Sequence, residues 1–184
     1  MSVPREWVRI EATEKMIDFA KKLREQRDTE CAHNVFERQD SDWPWVGELG
    51  ECAVQKWIRE HGTPHQWLRV KPIGQPDFNI CGETVDVKCS KRKDAFKPHY
   101  EVGITGHHAD AHHAETLLFS GFEIPTNTIV ILGVMAHDDF LAGARYFGPG
   151  EEVHPNFTVR EGSNLYNVHI AQLSPPLRWL EEGF

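Results

Sequence analysis

Cysteine is scarce and unpatterned in this chain. The four cysteines, Cys31, Cys52, Cys81 and Cys89, form no C-x-x-C pair among 184 residues, which argues against a disulfide framework and for free thiols in a reducing, cytoplasmic setting. No apolar stretch approaches the roughly 20 residues that a membrane helix needs. The longest, 128–136, falls far short, so no membrane partner is expected. The opening Met1-Ser2-Val3-Pro4-Arg5-Glu6-Trp7 has no apolar segment of the kind a secretory signal requires. Positive charge is in deficit as well. Twenty Lys and Arg stand against 28 Asp and Glu, a formal charge of −8, so any contact with a polyanion needs a local positive field. Repeats and low-complexity tracts are missing too. What remains is 40% hydrophobic and 26% charged, the composition of one globular domain spanning 1–184 with a single core.

Against that background one stretch stands out. Residues 76–88 read Pro-Asp-Phe-Asn-Ile-Cys-Gly-Glu-Thr-Val-Asp-Val-Lys, two strand-like runs around a glycine. A two-residue turn at Gly82-Glu83 folds them into a hairpin that sets Asp77 opposite Lys88 and Asn79 opposite Asp86. Side chains alternate along a strand, so Phe78, Ile80, Val85 and Val87 form an apolar face. Asp77, Asp86 and Lys88 gather on the other face, which is expected to point outward. Carboxylates are hard oxygen ligands for Mg²⁺ or Mn²⁺, and Mg²⁺ typically takes one or two of them while keeping some of its waters. A nearby ammonium can orient an attacking water or steady negative charge on phosphorus. The plainer alternative is an Asp77–Lys88 cross-strand ion pair on a surface hairpin, worth about 0.2–1 kcal/mol.

A helix precedes the hairpin. Residues 47–61 carry Leu49, Ala53, Val54, Trp57 and Ile58 at helical spacing, and Gly62 follows at the C′ position. Glu48 and Glu51, three apart, lie on neighbouring parts of one face. Either can also be read as a surface glutamate favoured by the helix dipole.

The combination Gly47-x-x-Gly50-Glu51-x-Ala53-Val54, then Pro76-Asp77, then Asp86-Val87-Lys88, resembles the PD-(D/E)xK nuclease superfamily. The resemblance covers about residues 45–105. It implies an α/β fold with a restriction-endonuclease-like core, a mixed central β-sheet flanked by helices in the order αβββαβ. It further implies a Mg²⁺- or Mn²⁺-dependent nuclease that hydrolyses phosphodiester bonds, with DNA the expected substrate, by attack of metal-activated water. On this likeness Asp77 and Asp86 hold the metal with the backbone carbonyl of Val87, Lys88 positions or deprotonates the water, and Glu51 completes the site directly or through water. Products with 5′-phosphate and 3′-hydroxyl ends follow from the same likeness. The small single domain would suit a phage or mobile element by analogy. An alternative of another class is a catalytically silent DNA-binding or assembly protein on a nuclease scaffold.

A positive field is available just past the hairpin. Ser90, Lys91, Arg92, Lys93 and Lys97, with only Asp94 among them, are the candidate nucleic-acid contacts. Elsewhere, Met16, Ile17, Ala20 and Leu23 predict a first helix capped by Thr13. Residues 31–46 read as a loop carrying Trp43-Pro44-Trp45, whose rings suit packing better than base stacking. Strands are expected at 67–70, 100–105 and 128–136, a helix at 109–119, and further strands at 140–147 and 166–173 that close the sheet. Pro175-Pro176 leads into a short final helix. The run His107-His108-Ala109-Asp110-Ala111-His112-His113 places His108 and His112 at the i, i+4 spacing of a transition-metal chelate, without a third ligand at matching spacing. A Zn²⁺-stabilised module built on it is a third possibility.

Overall fold

The computed structural model describes residues 7–30, 43–72, 74–106, 109, 114–155 and 157–182. Two helices lead into the sheet. Helix α1 (Glu14–Glu30) starts where the Thr13 hydroxyl accepts the Met16 amide, and it buries Ala20 and Leu23. Helix α2 (Val46–Glu60) buries the expected stripe and ends at Gly62, which takes a φ of 67° that glycine adopts without steric cost.

The central sheet is mixed, with strand order β1 (Val8–Glu11), β7 (Thr128–Ala136), β6 (Thr116–Glu123), β4 (Glu83–Arg92), β3 (Phe78–Ile80) and β2 (His65–Trp67). Only β4 and β6 run parallel; the other neighbours are antiparallel. Helices α1 and α2 cover one face, where Leu49, Ala53, Trp57 and Ile58 meet Phe78, Ile80, Val85, Val87 and Leu118. The second face carries Leu117, Phe119, Val130 and Leu132. It is covered by the helix His137–Gly143 and by a three-stranded sheet ordered β5 (Glu101–Thr105), β11 (Leu165–His169), β8 (Arg145–Phe147). A two-stranded ribbon pairs β9 (Glu152–His154) with β10 (Phe157–Thr158), and the helix Pro176–Glu182 is the last element among the described residues.

Several sequence expectations change. The hairpin turn is Cys81-Gly82, with φ of 52° and 94°, rather than Gly82-Glu83, and the Asn79 side chain accepts the Gly82 amide at 3.0 Å. Positive φ at both turn residues matches the twist of a tight hairpin. The register therefore slips by two residues, pairing Phe78 with Val85 and Asn79 with Thr84. An even slip leaves every side chain on its expected face, and Phe78, Ile80, Val85 and Val87 are all buried.

Residues 116–119 lie in strand β6 rather than in a helix. All eight residues of β6 are buried, so the strand shows no polar–apolar alternation, and its Leu-Leu-Phe run suits either element. The edge strand forms at 65–67 instead of 67–70. Phe140 belongs to a helix, and β8 and β11 build the small sheet instead of closing the large one. Residues 31–42 and, apart from Ala109, the histidine run 107–113 lie outside the described residues. Among the described residues no helix is long and apolar enough to cross a membrane.

Candidate active site

The site arises because β4 outruns β3. Strand β4 has ten residues and β3 only three, so beyond Val85 the β3 side of β4 loses its partner strand. Asp77 fills the gap. Its amide donates to the Val85 carbonyl at 3.0 Å, and its Oδ2 accepts the Val87 amide at 2.6 Å. A residue's N–H and C=O project to the same side of a strand, which turns the Val87 carbonyl toward this notch.

Asp86 and Lys88 alternate with the helix-facing valines and so project from the opposite face of β4, alongside Leu117 and Phe119 in the parallel register. The Lys88 ammonium lies 2.6 Å from Asp86 Oδ2. The Asp77 and Asp86 carboxyls lie close enough to influence each other's ionisation. Both are nearly sealed from solvent, at 5% and 3% exposure, so the expectation that Asp86 faces outward is corrected. The lysines Lys71 and Lys88 pair with the two carboxyls, Lys71 with Asp77 and Lys88 with Asp86.

Glu51 reaches the cluster from α2 because Gly50 lets the helix sit on β4: a Cβ there would come within 2.5 Å of Cys89 Cβ. Both Glu51 oxygens are engaged. Arg27 of α1 forks onto them at 2.7 and 2.8 Å, and the Trp67 indole donates at 2.8 Å. Arg27 also donates to Glu48 at 3.1 Å and to the Arg69 carbonyl at 2.7 Å.

The electrostatics follow from burial and from the pairing of charges. Burial pushes Asp86 up to about 7; Lys88 pulls it down, while the charge and hydrogen bond of Asp77 push it up. Burial works against ionised Asp77 too, but Lys71, the Asp86 hydrogen bond and Lys88 together hold it well below the usual carboxylate range. Glu51 is raised to about 7 by burial and then by the Asp77 charge, against the pull of Arg27. Burial, mutual repulsion and the lysines thus leave the two neighbouring carboxyls on opposite sides of the ordinary carboxylate range, Asp77 below and Asp86 above it.

These donors fit Mg²⁺ or Mn²⁺. Two neighbouring buried carboxyls are hard oxygen donors, a backbone carbonyl is turned toward them, and Mg²⁺ needs no more than one or two carboxylates. Among the described residues no group of three or more His, Cys, Asp and Glu side chains converges as metal ligands, in keeping with the engagement of Glu51 by Arg27.

The basic candidates divide between two faces. Ser90 and Arg92 alternate onto the Asp86 and Lys88 face, whereas Lys91 lies over the Trp43 ring at 5.6 Å on the helix side. Arg92 stacks on Tyr100 at 4.0 Å and pairs with Asp94 at 3.1 Å. Lys97 also sits over Tyr100, at 5.7 Å, and Lys93 is exposed in the same turn. Trp43 and Trp45 stack on each other and against Phe122, the packing role expected of them. The described cysteines, Cys52, Cys81 and Cys89, are free thiols.

Two cations were not anticipated. Lys71 pairs with Asp77 Oδ1, and Arg27 binds Glu51. Lys71 carries no sequence signal, since it sits in an irregular stretch. Arg27 has one: Arg24 and Arg27 are three apart on α1, as Glu48 and Glu51 are on α2, and the two pairs meet. No protein-family model, no curated protein and no solved structure matches this chain.

Proposed function

We propose that the chain is a Mg²⁺- or Mn²⁺-dependent nuclease that hydrolyses phosphodiester bonds in DNA, built on a restriction-endonuclease-like core. The observation that carries this reading is the buried pair Asp77 and Asp86 beside Lys88, in the Pro-Asp and Asp-x-Lys pattern of the resemblance. Two sealed carboxyls in contact cost stability through desolvation and repulsion, so their value is expected to be functional. The order α2, β2, β3, β4, with β6 parallel to β4, agrees with the core that the resemblance implies.

In this reading Asp77, Asp86 and the Val87 carbonyl hold the cation. When bound, it would neutralise charge on the scissile phosphate and acidify water. Asp77 is locked to the Val87 amide, which fixes one ligand to the strand that carries the other. Lys88 is held by Asp86 at the outer side of the pair, placed to orient water and to offset negative charge building on phosphorus. Arg27 and Glu51 brace α1 and α2 beside the cluster. Ser90, Lys93, Arg92 and Lys97 extend from the site as phosphate contacts, with Lys91 beside Trp43 on the neighbouring face.

Incubating the purified protein with plasmid, linear and single-stranded DNA in Mg²⁺, Mn²⁺ or EDTA tests this directly. Cleavage that requires the metal and vanishes in Lys88→Ala supports the reading; intact DNA under every metal condition refutes it. One observation favours a second reading, a silent DNA-binding or assembly protein: each acid already has an in-chain cation, Arg27 for Glu51, Lys71 for Asp77 and Lys88 for Asp86. DNA retention without turnover in the same assay would select it.

A further inference from the structure

The three acid–cation pairs of the site are not built alike. Arg27 is fixed by four hydrogen bonds to three residues, Glu48 and Glu51 of α2 and the Arg69 carbonyl. Lys88 belongs to a central strand. Lys71 belongs to neither a helix nor a strand: it lies on the strap between β2 and β3, described at residues 68–72 and 74–76.

That strap is tethered at its start, by the Leu68 amide to the Asp77 carbonyl at 2.8 Å and by Arg27 to the Arg69 carbonyl. Farther on, the Gln75 amide donates to the Pro72 carbonyl at 3.3 Å. Gly74 takes a φ of 84°, and Arg69, Val70, Pro72 and Gln75 are exposed. Out of this solvated segment the Lys71 side chain turns inward. It is only 15% exposed, and its ammonium pairs with Asp77 Oδ1.

We infer that Lys71 is a built-in counter-cation, seated on the metal-facing carboxylate of the metal-free protein and expelled by a divalent ion. The inference rests on the metal-site reading above. An ammonium and a divalent ion compete for Asp77 Oδ1, since like charges at such a distance repel in a partly buried site. Lys71 docking and metal binding are therefore coupled and mutually opposed. The strap can release its lysine without disturbing the sheet, because Asp77 keeps its own hold on Val85 and Val87 through separate atoms. Lys71 thus sets the cation concentration at which the site loads, and once released it lies on the rim where a phosphate would approach.

Calorimetric titration of Mn²⁺ into EDTA-stripped full chain tests this. Removing the competitor in Lys71→Met should tighten Mn²⁺ binding about tenfold, the gain expected when a site about nine-tenths blocked becomes fully open. Lys71→Arg should stay near the parent, and Asp77→Asn should bind weakly. If the parent binds Mn²⁺ and Asp77→Asn does not, yet Lys71→Met binds equally or less well, the Lys71 inference is overturned while the metal site stands. If the parent and Asp77→Asn behave alike, the metal site itself falls, and the inference with it. Hydrogen exchange on the unmodified protein gives an answer independent of any variant's folding. Saturating Mn²⁺ should speed exchange at the Gln75 amide, which is hydrogen-bonded in the metal-free strap, and unchanged or slower exchange there would overturn the inference.

Discussion

Glu123 and Asp86 are nearly equal in burial, at 2% and 3% exposure, and lie on adjacent strands of one sheet, yet they sit in opposite electrostatic states. Glu123 is fully answered. It accepts from Arg9 at 2.8 Å, from the Phe96 amide at 2.9 Å and from Thr126 at 3.4 Å. Burial opposes its charge, but these partners leave its carboxyl below the ordinary value. Asp86 has one cation and a second carboxyl against it, and is raised to about 7. Burial is common to both; the company differs. A buried acid with a full set of donors is architecture, here pinning the basic turn through Phe96. One raised by burial beside a second carboxylate is what the proposed metal site rests on.

Mutation should separate the two sharply. The largest effect belongs to Asp86→Asn and Lys88→Ala, each expected to lower metal-dependent DNA cleavage by at least about 10³-fold through loss of electrostatic stabilisation. At about pH 4, Asp86→Asn should leave unfolding free energy within about 1 kcal/mol of the parent, read by urea denaturation. Glu123→Gln should do the reverse. It weakens charge-assisted bonds to Arg9 and Phe96, and about 1–3 kcal/mol of stability should go with them, while cleavage persists.

The pH dependence of stability sharpens the contrast. The folded protein keeps protons on Asp86, and on Glu51, up to about pH 7, whereas the unfolded chain releases them near 4. Their contribution is present at low pH and is lost as pH rises through about 7. Glu123 and Asp77 are depressed, so theirs is present above the unfolded value and is lost as pH falls through the folded one. Metal-free protein should therefore lose stability from pH 4 to 7, and Asp86→Asn should flatten that slope in denaturation curves at each pH. The smallest effect is expected at Gly121. A Cβ there would overlap the Phe96 ring, so Gly121→Ala should shift the turn that Glu123 anchors and weaken DNA binding a few-fold, about 1 kcal/mol, in a salt-controlled binding assay.

The hairpin shows how far sequence carries. Alternation placed Phe78, Ile80, Val85 and Val87 on one face even though the turn was misplaced, because parity survives a two-residue slip. The turn itself was hidden because Cys81 takes a positive φ that few non-glycine residues adopt. Helix α2 and strand β7 were legible from their spacing and length. Strand β6 was not, since covering on both faces erases its pattern. At the site, motif order pointed to Asp77, Asp86, Lys88 and Glu51. Their burial and their partners Lys71 and Arg27 depend on contacts between segments far apart along the chain or on an irregular strap, which no local periodicity encodes. The resulting division between architecture and site is set by those contacts.

Anomalous diffraction from crystals of the metal-free protein soaked in Mn²⁺ tests the central claim most directly. The expected result is a manganese peak between the Asp77 and Asp86 carboxylates and the Val87 carbonyl, lost in Asp86→Asn crystals. A soaked crystal with manganese elsewhere, or with Lys71 still seated on Asp77 and no peak beside it, would contradict the account.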